Sequence, residues 1–447
     1  MRGLPKDGCR ASDGRRLGAS VAMFALYAIL AVVTHIAAPI GAVWKVQPGI
    51  DGSNLLGMAG NMMTFLAYLF VGIPAGFLLM RIGYKRTTLA ALGLGILGVA
   101  IQLVSADAGT GLRVAGVPAS FFVYLLGSFV CGFTSCLLNI VINPMLNALG
   151  GGGRRANQLI MFGGGVNSVV STLTPVFVML LVGEVTAKTS LHDVAPLLRW
   201  ALGILAAALA AFAAFRMPEP ARERNPDAEK VGLLEPLRFR HTVFGVAGIF
   251  LYIGIEIGVP GTLNFWLLDP RGAFAAVTPA VAGSVTGMFF FLMLVGRFAG
   301  SWVGGRVSGR AILAVCAAAT FLLIAVGVAT LGASVPFPVF TGRSFAVADV
   351  PLGAALLASS GLFVSVLWAA AYNLAMEGLG KCTEAASGLL MTMVCGGGVL
   401  PLAQGFLADR CGYAVSYVLP ALGALYLLAY ALLFPAFVNK GKMEGNT

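Results

Sequence analysis

Charged residues are scarce in this chain, and their scarcity excludes most classes of protein. Of the 447 residues, 29 are basic and 18 are acidic, so charged residues make up 11% of the sequence, against about 25% in soluble globular domains. So few charges cannot cover a water-exposed surface of this size. With 58% hydrophobic residues, the chain is neither a soluble domain nor a disordered one. The same composition argues against a nucleic-acid binder, despite the net charge of +11.

Clusters of cysteine or histidine and nucleotide-binding motifs are also missing. The seven cysteines contain no CxxC pair and most lie in apolar stretches, which favours packing roles over disulfides or metal ligands. The three histidines form no metal-ligand cluster, two of them (His192 and His241) lie at loops or helix ends, and no P-loop pattern occurs. We therefore expect no metal, no cofactor, no enzymatic activity and no ATP-driven transport.

Long apolar runs are what the chain has instead. A membrane-spanning helix needs about 20 apolar residues, and twelve segments reach that length. They predict an all-α membrane protein whose first span is not a cleaved signal peptide, because no clear cleavage site follows it. The predicted spans are 19–43, 54–80, 86–106, 118–148, 157–183, 195–216, 241–268, 279–303, 310–333, 351–379, 385–408 and 413–438.

The basic residues fall mainly on one side of these spans. If the N-terminus and the loops after even-numbered spans share a side, that side holds 22 of the 29 Lys and Arg residues. Because cytoplasmic loops carry an excess of Lys and Arg, this predicts both termini in the cytoplasm of a multi-pass protein of the bacterial inner membrane. The net charge is therefore a signal of topology.

The spans divide into two groups of six. The longest polar stretch, residues 217–240, is a predicted cytoplasmic linker between an N-terminal six-helix bundle (1–216) and a C-terminal one (241–447). Gly76 lies near the end of span 2 and Gly300 near the end of span 8, each with arginines beyond it, and the two glycines are 224 residues apart. This spacing, half the chain, indicates an internal duplication of the kind found in secondary transporters.

The segment after span 2 carries a family resemblance. Gly76-Phe-Leu-Leu-Met-Arg81-Ile-Gly83-Tyr-Lys85-Arg86 resembles the helix 2–3 signature of the major facilitator superfamily, with Met80 in place of the usual acidic residue. Together with Pro74 it resembles more narrowly the fucose–proton symporter family, which includes glucose/galactose transporters. Other matching segments are Asn143-Pro144, Asn167-Ser168, Tyr252 to Glu256, Gly296 to Trp302, Asn373 to Lys381 and Gly396 to Gly405. The resemblance implies twelve helices in two pseudo-symmetric six-helix bundles.

Three positions depart from the fucose-type pattern. Where that pattern has an aspartate in helix 1 and a glutamate in helix 4, this chain has His35 and Asn139. Where the pattern has a glutamine in helix 5, this chain has Gly164. The residues that the resemblance would assign to proton coupling and sugar contact are therefore largely replaced.

Glu256 is the only acidic residue deep inside a predicted span. A charge at the centre of a membrane costs about 2.5–3.5 kcal/mol on insertion scales, so such a residue marks a function or a pairing. We expect Glu256 to bind and release the coupling proton. The alternative is a permanently protonated carboxyl bonded to a neighbouring helix. His35, the only histidine deep inside a span, is the expected partner because histidine titrates near physiological pH.

Polar and aromatic residues in the spans are candidates for sugar contact. On span 4, Asn139 and Asn143 share a helix face, and carboxamides offer both donors and acceptors to hydroxyl groups. Trp368 is a candidate platform for the apolar face of a pyranose. The alternative for each is a bond or packing contact between helices. The predicted set is Asn61, Tyr68, Asn139, Asn143, Asn167, Tyr252, Asn264, Trp368 and Tyr372.

Basic residues near the cytoplasmic ends of spans 2 and 8 are candidates for a gate. Arginines can bond carboxylates or the carbonyl groups at helix C-termini when that side is closed. The alternative is that these residues only determine topology. The predicted gating residues are Arg81, Lys85, Arg86, Arg297, Arg306 and Glu377.

The sequence thus predicts a secondary transporter of a small polar solute, a hexose-type sugar, driven by proton symport through alternating access. Its expected partners are the sugar, protons and the lipid bilayer, and we expect a monomer. Two alternatives stay open. An uncoupled facilitator or exchanger is one, because the helix 1 and helix 4 carboxylates are missing. A transporter-like sensor that binds sugar without moving it is the other.

Overall fold

The computed structural model is a bundle of long helices. It describes residues 13–108, 111–150, 153–183, 189–217, 219, 234–270, 277–303, 306–330, 332–340, 344–379 and 382–437. Eleven helical segments in these ranges are long and apolar enough to cross a membrane, and a shorter apolar helix, Leu159–Thr174, lies within a twelfth. The predicted all-α membrane fold is therefore confirmed, since every predicted span coincides with helix.

The helices follow one another in the predicted order. The first six spans are α1 Asp13–His35 with α2 Ala37–Lys45, α3 Asn54–Ile82, α4 Tyr84–Val104, α5 Ala119–Gly150, α6 Gly153–Leu181 and α7 Ala195–Ala214. The last six are α8 Arg240–Leu268, α9 Pro279–Val303, α10 Gly309–Ala329, α11 Leu352–Ser359 with α12 Gly361–Met376, α13 Thr383–Thr392 with α14 Gly396–Cys411, and α15 Tyr413–Ser416 with α16 Val418–Phe437. Because the spans alternate in direction, α1 begins and α16 ends on one side of the bundle. We call this the terminal side and the opposite side the far side.

Four spans are interrupted, and the break in the first has a clear cause. Proline lacks an amide hydrogen and its ring crowds the carbonyl group four residues earlier. Pro39 therefore cannot bond to the carbonyl group of His35, and the helix bends at Ile36 between α1 and α2. The break places the end of α1, at His35, in the interior of the bundle beside the cavity described below.

Two short β-hairpins lie on the far side, where the sequence analysis predicts only loops. Arg113–Val114 (β1) pairs with Val117–Pro118 (β2), and Ser334–Phe340 (β3) pairs antiparallel with Phe345–Pro351 (β4). Burial alternates along β3, as expected for a strand with one face against the protein. Strands of two and seven residues are much shorter than the apolar runs of about 20 residues that indicate membrane spans.

Among the described residues, two main interfaces join the first six spans to the last six. The α3 helix packs against α13 and α14, and α6 packs against α9. We call these contacts the α3–α14 seam and the α6–α9 seam. Any site between the two groups of spans is bounded by these seams.

Glycines allow the α3–α14 seam to close tightly. A Cβ atom on Gly398 would lie 2.7 Å from the carbonyl oxygen of Met62, and one on Gly405 would lie 2.9 Å from that of Asn54. Both distances are shorter than real Cβ contacts, so the two backbones touch only because these residues lack side chains.

We predict that Gly398→Val destabilises the protein by about 1–3 kcal/mol, the usual cost of overpacking a filled interior. Gly203→Val on α7 is the matched control, because nothing lies within 4 Å of a Cβ atom there. The measurement is the thermal unfolding of each purified variant in detergent. Equal losses of stability in the two variants would contradict the tight seam.

Candidate solute cavity and the charged bridge beneath it

A cavity lies between the two groups of spans in the far half of the bundle. Its empty volume is about 1040 Å³, which includes the space at its open mouth. It extends from His35, Asn61 and Phe290 in the interior to Val178 and Leu268 near the helix ends on the far side. Small-molecule sites are usually such concave, mostly apolar spaces with a few polar groups.

Three of the predicted polar residues line this cavity. They are His35 at the end of α1, Asn61 on α3 and Asn264 on α8. The Asn61 amide group donates to the carbonyl oxygen of Gly397, 2.9 Å away across the α3–α14 seam. Within the described part of the chain, no residue forms a hydrogen bond with the His35 ring or the Asn264 amide group. Those two groups are therefore available to a solute.

The cavity wall carries almost no charge. Among the described lining residues, His35 is the only one with a titratable side chain, and no Asp, Glu, Lys or Arg contributes. The His35 ring meets Phe290 edge-on, with the ring centroids 4.9 Å apart. A wall of this composition suits an uncharged solute that has both hydroxyl groups and an apolar face.

A charged bridge crosses between the two groups of spans beneath the cavity. The Arg297 Nη2 atom on α9 lies 3.4 Å from the Oε1 atom of Glu256 on α8. Its Nη1 atom donates to the Ser168 hydroxyl group on α6 at 2.8 Å and to the carbonyl oxygen of Gly164. The Arg297 guanidinium thus joins a carboxylate of the last six spans to the α6 helix of the first six.

Gly164 makes room for this bridge. A Cβ atom at that position would lie 3.3 Å from the Arg297 Nη1 atom, so a long side chain would displace the guanidinium. This is the position where the fucose-type pattern has a glutamine, and in this chain the space is filled from the opposite helix. The glycine at position 164 therefore makes room for the guanidinium of Arg297 on α9.

His35 is the predicted partner of Glu256, whereas the ion pair in the structure joins Glu256 to Arg297. Arg297 is predicted as a gating residue near the cytoplasmic end of span 8, and α9 continues for six residues beyond it, to Val303, as the predicted span does. Six residues of helix measure about 9 Å, so Arg297 lies inside the span rather than in a loop. The signal in the sequence for this pairing was Arg297 itself, because an arginine within an apolar span is costly unless it has a charged partner.

The predicted contacts on span 4 form a network of their own. The Tyr27 hydroxyl group donates to Asn143 at 2.5 Å, Asn143 donates to the carbonyl oxygen of Asn139 at 3.1 Å, and Asn139 donates to the Tyr68 hydroxyl group at 2.8 Å. The Asn167 amide group reaches the Tyr27 carbonyl oxygen at 3.5 Å. None of these residues lines the cavity, and their mutual bonds match the interhelical alternative considered for them.

The predicted aromatic contacts also pack on one another. Trp368 stacks on Tyr372 with ring centroids 5.8 Å apart and lies 5.7 Å from Tyr252. Tyr372 is hydrogen-bonded to Ser387 at 3.0 Å. Tyr252 lies within interaction range of Glu256, so this cluster is adjacent to the charged bridge, although none of the three rings lines the cavity.

The other predicted gating residues lie on the terminal side, and the contacts of Lys85, Arg306 and Glu377 described below are within their own group of spans. The Lys85 Nζ atom donates to the carbonyl oxygen of Ala213 at 2.8 Å. Arg306 lies over the Trp302 ring, 4.4 Å from its centroid. The Glu377 carbonyl oxygen lies 2.9 Å from the His241 ring, while the side chains of Arg81, Arg86 and Glu377 are exposed.

Comparison with known proteins gives relatives of one kind. No protein-family model matches the chain. It is 29% identical over 373 residues to a glucose/galactose transporter of Brucella abortus, which covers 83% of each chain. It is 25% identical to a putative glucose/galactose transporter of Helicobacter pylori, over 98% of this chain and 100% of that protein. It is 24% identical to the L-fucose-proton symporter of Escherichia coli, over 83% and 81% of the two chains.

Solved structures show the same fold. The fucose:proton symporter of Escherichia coli matches with a TM-score of 0.65 and 18% identity, over 94% of this chain and 99% of that one. A structure of this major facilitator superfamily transporter in the outward conformation gives a TM-score of 0.67. The present chain therefore has the major facilitator superfamily fold, and the resemblance identified in its motifs is confirmed. The named relatives are transporters, not enzymes.

We predict that Glu256 and Arg297 are energetically coupled. Breaking a buried ion pair costs about 3–5 kcal/mol, because the remaining charge stays unpaired. The combined Glu256→Gln and Arg297→Met variant should therefore lose less stability than the sum of the single variants, by about 0.5–3 kcal/mol. Denaturant unfolding of the four proteins in detergent measures this difference. Strict additivity would contradict the bridge.

Proposed function

We propose that the chain is a secondary transporter that carries a hexose-type sugar together with protons by alternating access. The fold and the names of the relatives support sugar transport. The observation that carries the proposal is the position of the charged bridge. Glu256, a carboxylate able to bind a proton, is paired with Arg297, which also bonds to Ser168 in the opposite group of spans. This bridge lies directly beneath a cavity suited to a neutral polar solute.

The solute site we propose is formed by His35, Asn61 and Asn264. They come from three different helices and lie around one cavity. Two carboxamides and an imidazole can alternate as donors and acceptors for sugar hydroxyl groups. Phe290, beside His35, offers an apolar surface for the ring of the sugar.

The remaining predicted contacts would serve a later stage of the transport cycle. Their positions along the helices are at mid-depth or toward the terminal side of the bundle, and none of them lines the cavity. We propose that a solute reaches them only after the bridge opens, and that until then they bond to one another. The residues concerned are Tyr68, Asn139, Asn143, Asn167, Tyr252, Trp368 and Tyr372.

Proton coupling follows from the chemistry of the bridge. An ionised Glu256 holds the Arg297 guanidinium, whereas a protonated Glu256 offers no negative charge to it. Binding of a proton therefore weakens the bridge, which loosens the α6–α9 seam. His35 lies in the cavity wall and within electrostatic range of Arg297, so we propose that it passes the proton from the cavity toward Glu256.

The motion we propose is a rocking of residues 1–216 against residues 241–447 about the linker 217–240. We propose that Arg81, Lys85, Arg86, Arg306 and Glu377 bond across the terminal side at another stage of this motion, while Arg297 controls the interior. The distribution of basic residues supports a cytoplasmic location of both termini in a bacterial inner membrane. We propose that the protein acts as a monomer.

An uncoupled sugar facilitator is the second candidate. The observation that favours it is the same ion pair, because an arginine that keeps Glu256 ionised throughout the cycle would make the bridge a fixed structural element. A sensor that binds sugar without moving it would likewise leave the bridge intact. Transport assays on a variant of Glu256 separate these candidates.

We predict that Glu256→Gln abolishes uphill accumulation of sugar but preserves counterflow, because the neutral amide cannot carry a proton while the solute cavity is unchanged. Accumulation is measured in energised membrane vesicles with and without a protonophore. Asp349→Asn, an exposed carboxylate on β4, is the matched control and should behave as the unmodified protein. Full accumulation by the Glu256 variant would overturn the assignment of the proton site.

We predict that Asn264→Ala weakens sugar binding about threefold to tenfold, the value of one net hydrogen bond. Asn373→Ala is the control, because Asn373 is exposed and does not line the cavity. The binding assay is a thermal-shift titration with hexoses, amino sugars and sugar acids. Unchanged binding in the Asn264 variant, or stabilisation by amino acids but by no carbohydrate, would contradict the proposed site.

A further inference from the structure

A single carboxylate ties the two groups of spans together on the far side. Asp409, near the end of α14, accepts four hydrogen bonds from the beginning of α3. The donors are the Ser53 hydroxyl group at 2.8 Å, the Asn54 backbone and side-chain amides at 2.8 Å each, and the Leu55 backbone amide at 2.9 Å. Every one of these bonds crosses the α3–α14 seam.

The start of α3 is well suited to receive this carboxylate. The first amide groups of a helix lack partners within the helix, and the helix dipole favours a negative charge there. Ser53 caps the helix in the ordinary way by accepting from the Leu56 amide at 3.2 Å, and Asp409 supplies acceptors for the amides of Asn54 and Leu55. The cap of a helix in the first six spans is thus completed by the last six.

Neighbouring polar groups extend this contact toward the cavity. The Lys45 Nζ atom donates to Asn54 at 2.6 Å and to the Tyr413 hydroxyl group at 3.0 Å, and Tyr413 donates to Asp269 at 3.1 Å. Lys45 also lies over the ring of Phe265, 4.7 Å from its centroid, and Phe265 lines the cavity. A movement of Asn54 or Tyr413 would therefore displace Lys45 and, through it, Phe265 in the cavity wall.

The turn that contains Asp409 has a counterpart after α3, and the two turns differ at the position of the carboxylate. Asp409-Arg-Cys-Gly412-Tyr ends span 11, and Met80-Arg-Ile-Gly83-Tyr ends span 2. Both glycines join two helices and have left-handed backbone conformations, with φ of 90° at Gly412 and 85° at Gly83. The two segments are equivalent turns on opposite sides of the bundle, and only the far-side turn has a carboxylate where the other has methionine.

We propose that Asp409 is a positioning residue of a far-side gate. Its carboxylate holds the beginning of α3 and keeps the far end of the α3–α14 seam closed, and it must release α3 before the cavity can open fully on that side. Because the equivalent terminal-side turn lacks the carboxylate, this latch favours closure of the far side over closure of the terminal side. This proposal concerns conformation alone and is independent of the identity of the solute.

The test measures access to the cavity without any sugar. A cysteine is introduced at Thr286, which lines the cavity, in a Cys411→Ser background, because Cys411 is exposed on the far side. The purified protein in nanodiscs is labelled with a bulky hydrophilic maleimide. Asp409→Asn should raise the labelling rate about threefold to tenfold, in line with the loss of a charge at a helix N-terminus, and Asp409→Glu should restore part of the slow rate.

Two controls distinguish a gate from general loosening. Arg410→Gln removes the adjacent charge, whose described ring contact is with Phe406 in its own helix, and should leave the rate unchanged. The native cysteines Cys131 and Cys136 are buried and should stay unlabelled in every variant. An unchanged rate in Asp409→Asn, or labelling of the buried cysteines together with the reporter, would overturn the proposal. Failure of sugar transport would not affect this result.

Discussion

The structure depends on one interaction, in which the Arg297 guanidinium pairs with Glu256 in the last six spans and bonds to α6 in the first six. In a chain that carries so few charges, a guanidinium and a carboxylate inside the membrane are tolerable only together, because either alone would be a costly uncompensated charge. Their pairing accounts for the presence of Glu256 in α8. The remaining bonds of Arg297, to Ser168 and to Gly164, make the pair a connection between halves rather than a local contact within one of them.

The bridge also divides the polar interior into two layers. The far layer, with His35, Asn61 and Asn264, surrounds an open cavity and includes two groups that no described residue satisfies. The other layer consists of amides and aromatic rings that bond and stack on one another. A solute that moves from the first layer to the second must replace those mutual bonds, so the bridge acts as the barrier between two sites of similar chemistry.

The sequence predicted the features that follow from composition and periodicity. Twelve apolar runs gave twelve helical spans, and the rarity of acidic residues singled out Glu256. The sequence could not show that Arg297 faces Glu256, because the pairing depends on how α8 and α9 are rotated toward each other. It also could not separate Asn264, which faces the cavity, from Asn143, whose amide is used by Tyr27. Both are amides in apolar helices, and only packing distinguishes them.

The seams show a second limit of pattern reading. The Asp409 carboxylate lies in a turn that repeats the signature of span 2, but two of its four donors are the backbone amides of Asn54 and Leu55, 355 and 354 residues away. Backbone groups have no residue identity, so a search for matching side chains cannot find such contacts. The contacts at Gly398 and Gly405 are equally hard to predict, because they depend on the absence of a side chain.

The central claim is that the charge on Glu256 keeps the bridge closed. The most direct test is the distance across the terminal side, measured by electron paramagnetic resonance between spin labels at Ala148 on α5 and Gly309 on α10, both exposed, in the Cys411→Ser background. The account predicts that the distance distribution shifts to longer values as pH falls, and that Glu256→Gln shows the long distances at every pH. A distance distribution that does not change with pH in the unmodified protein would contradict this claim. A distribution that still changes with pH in the Glu256→Gln variant would also contradict it.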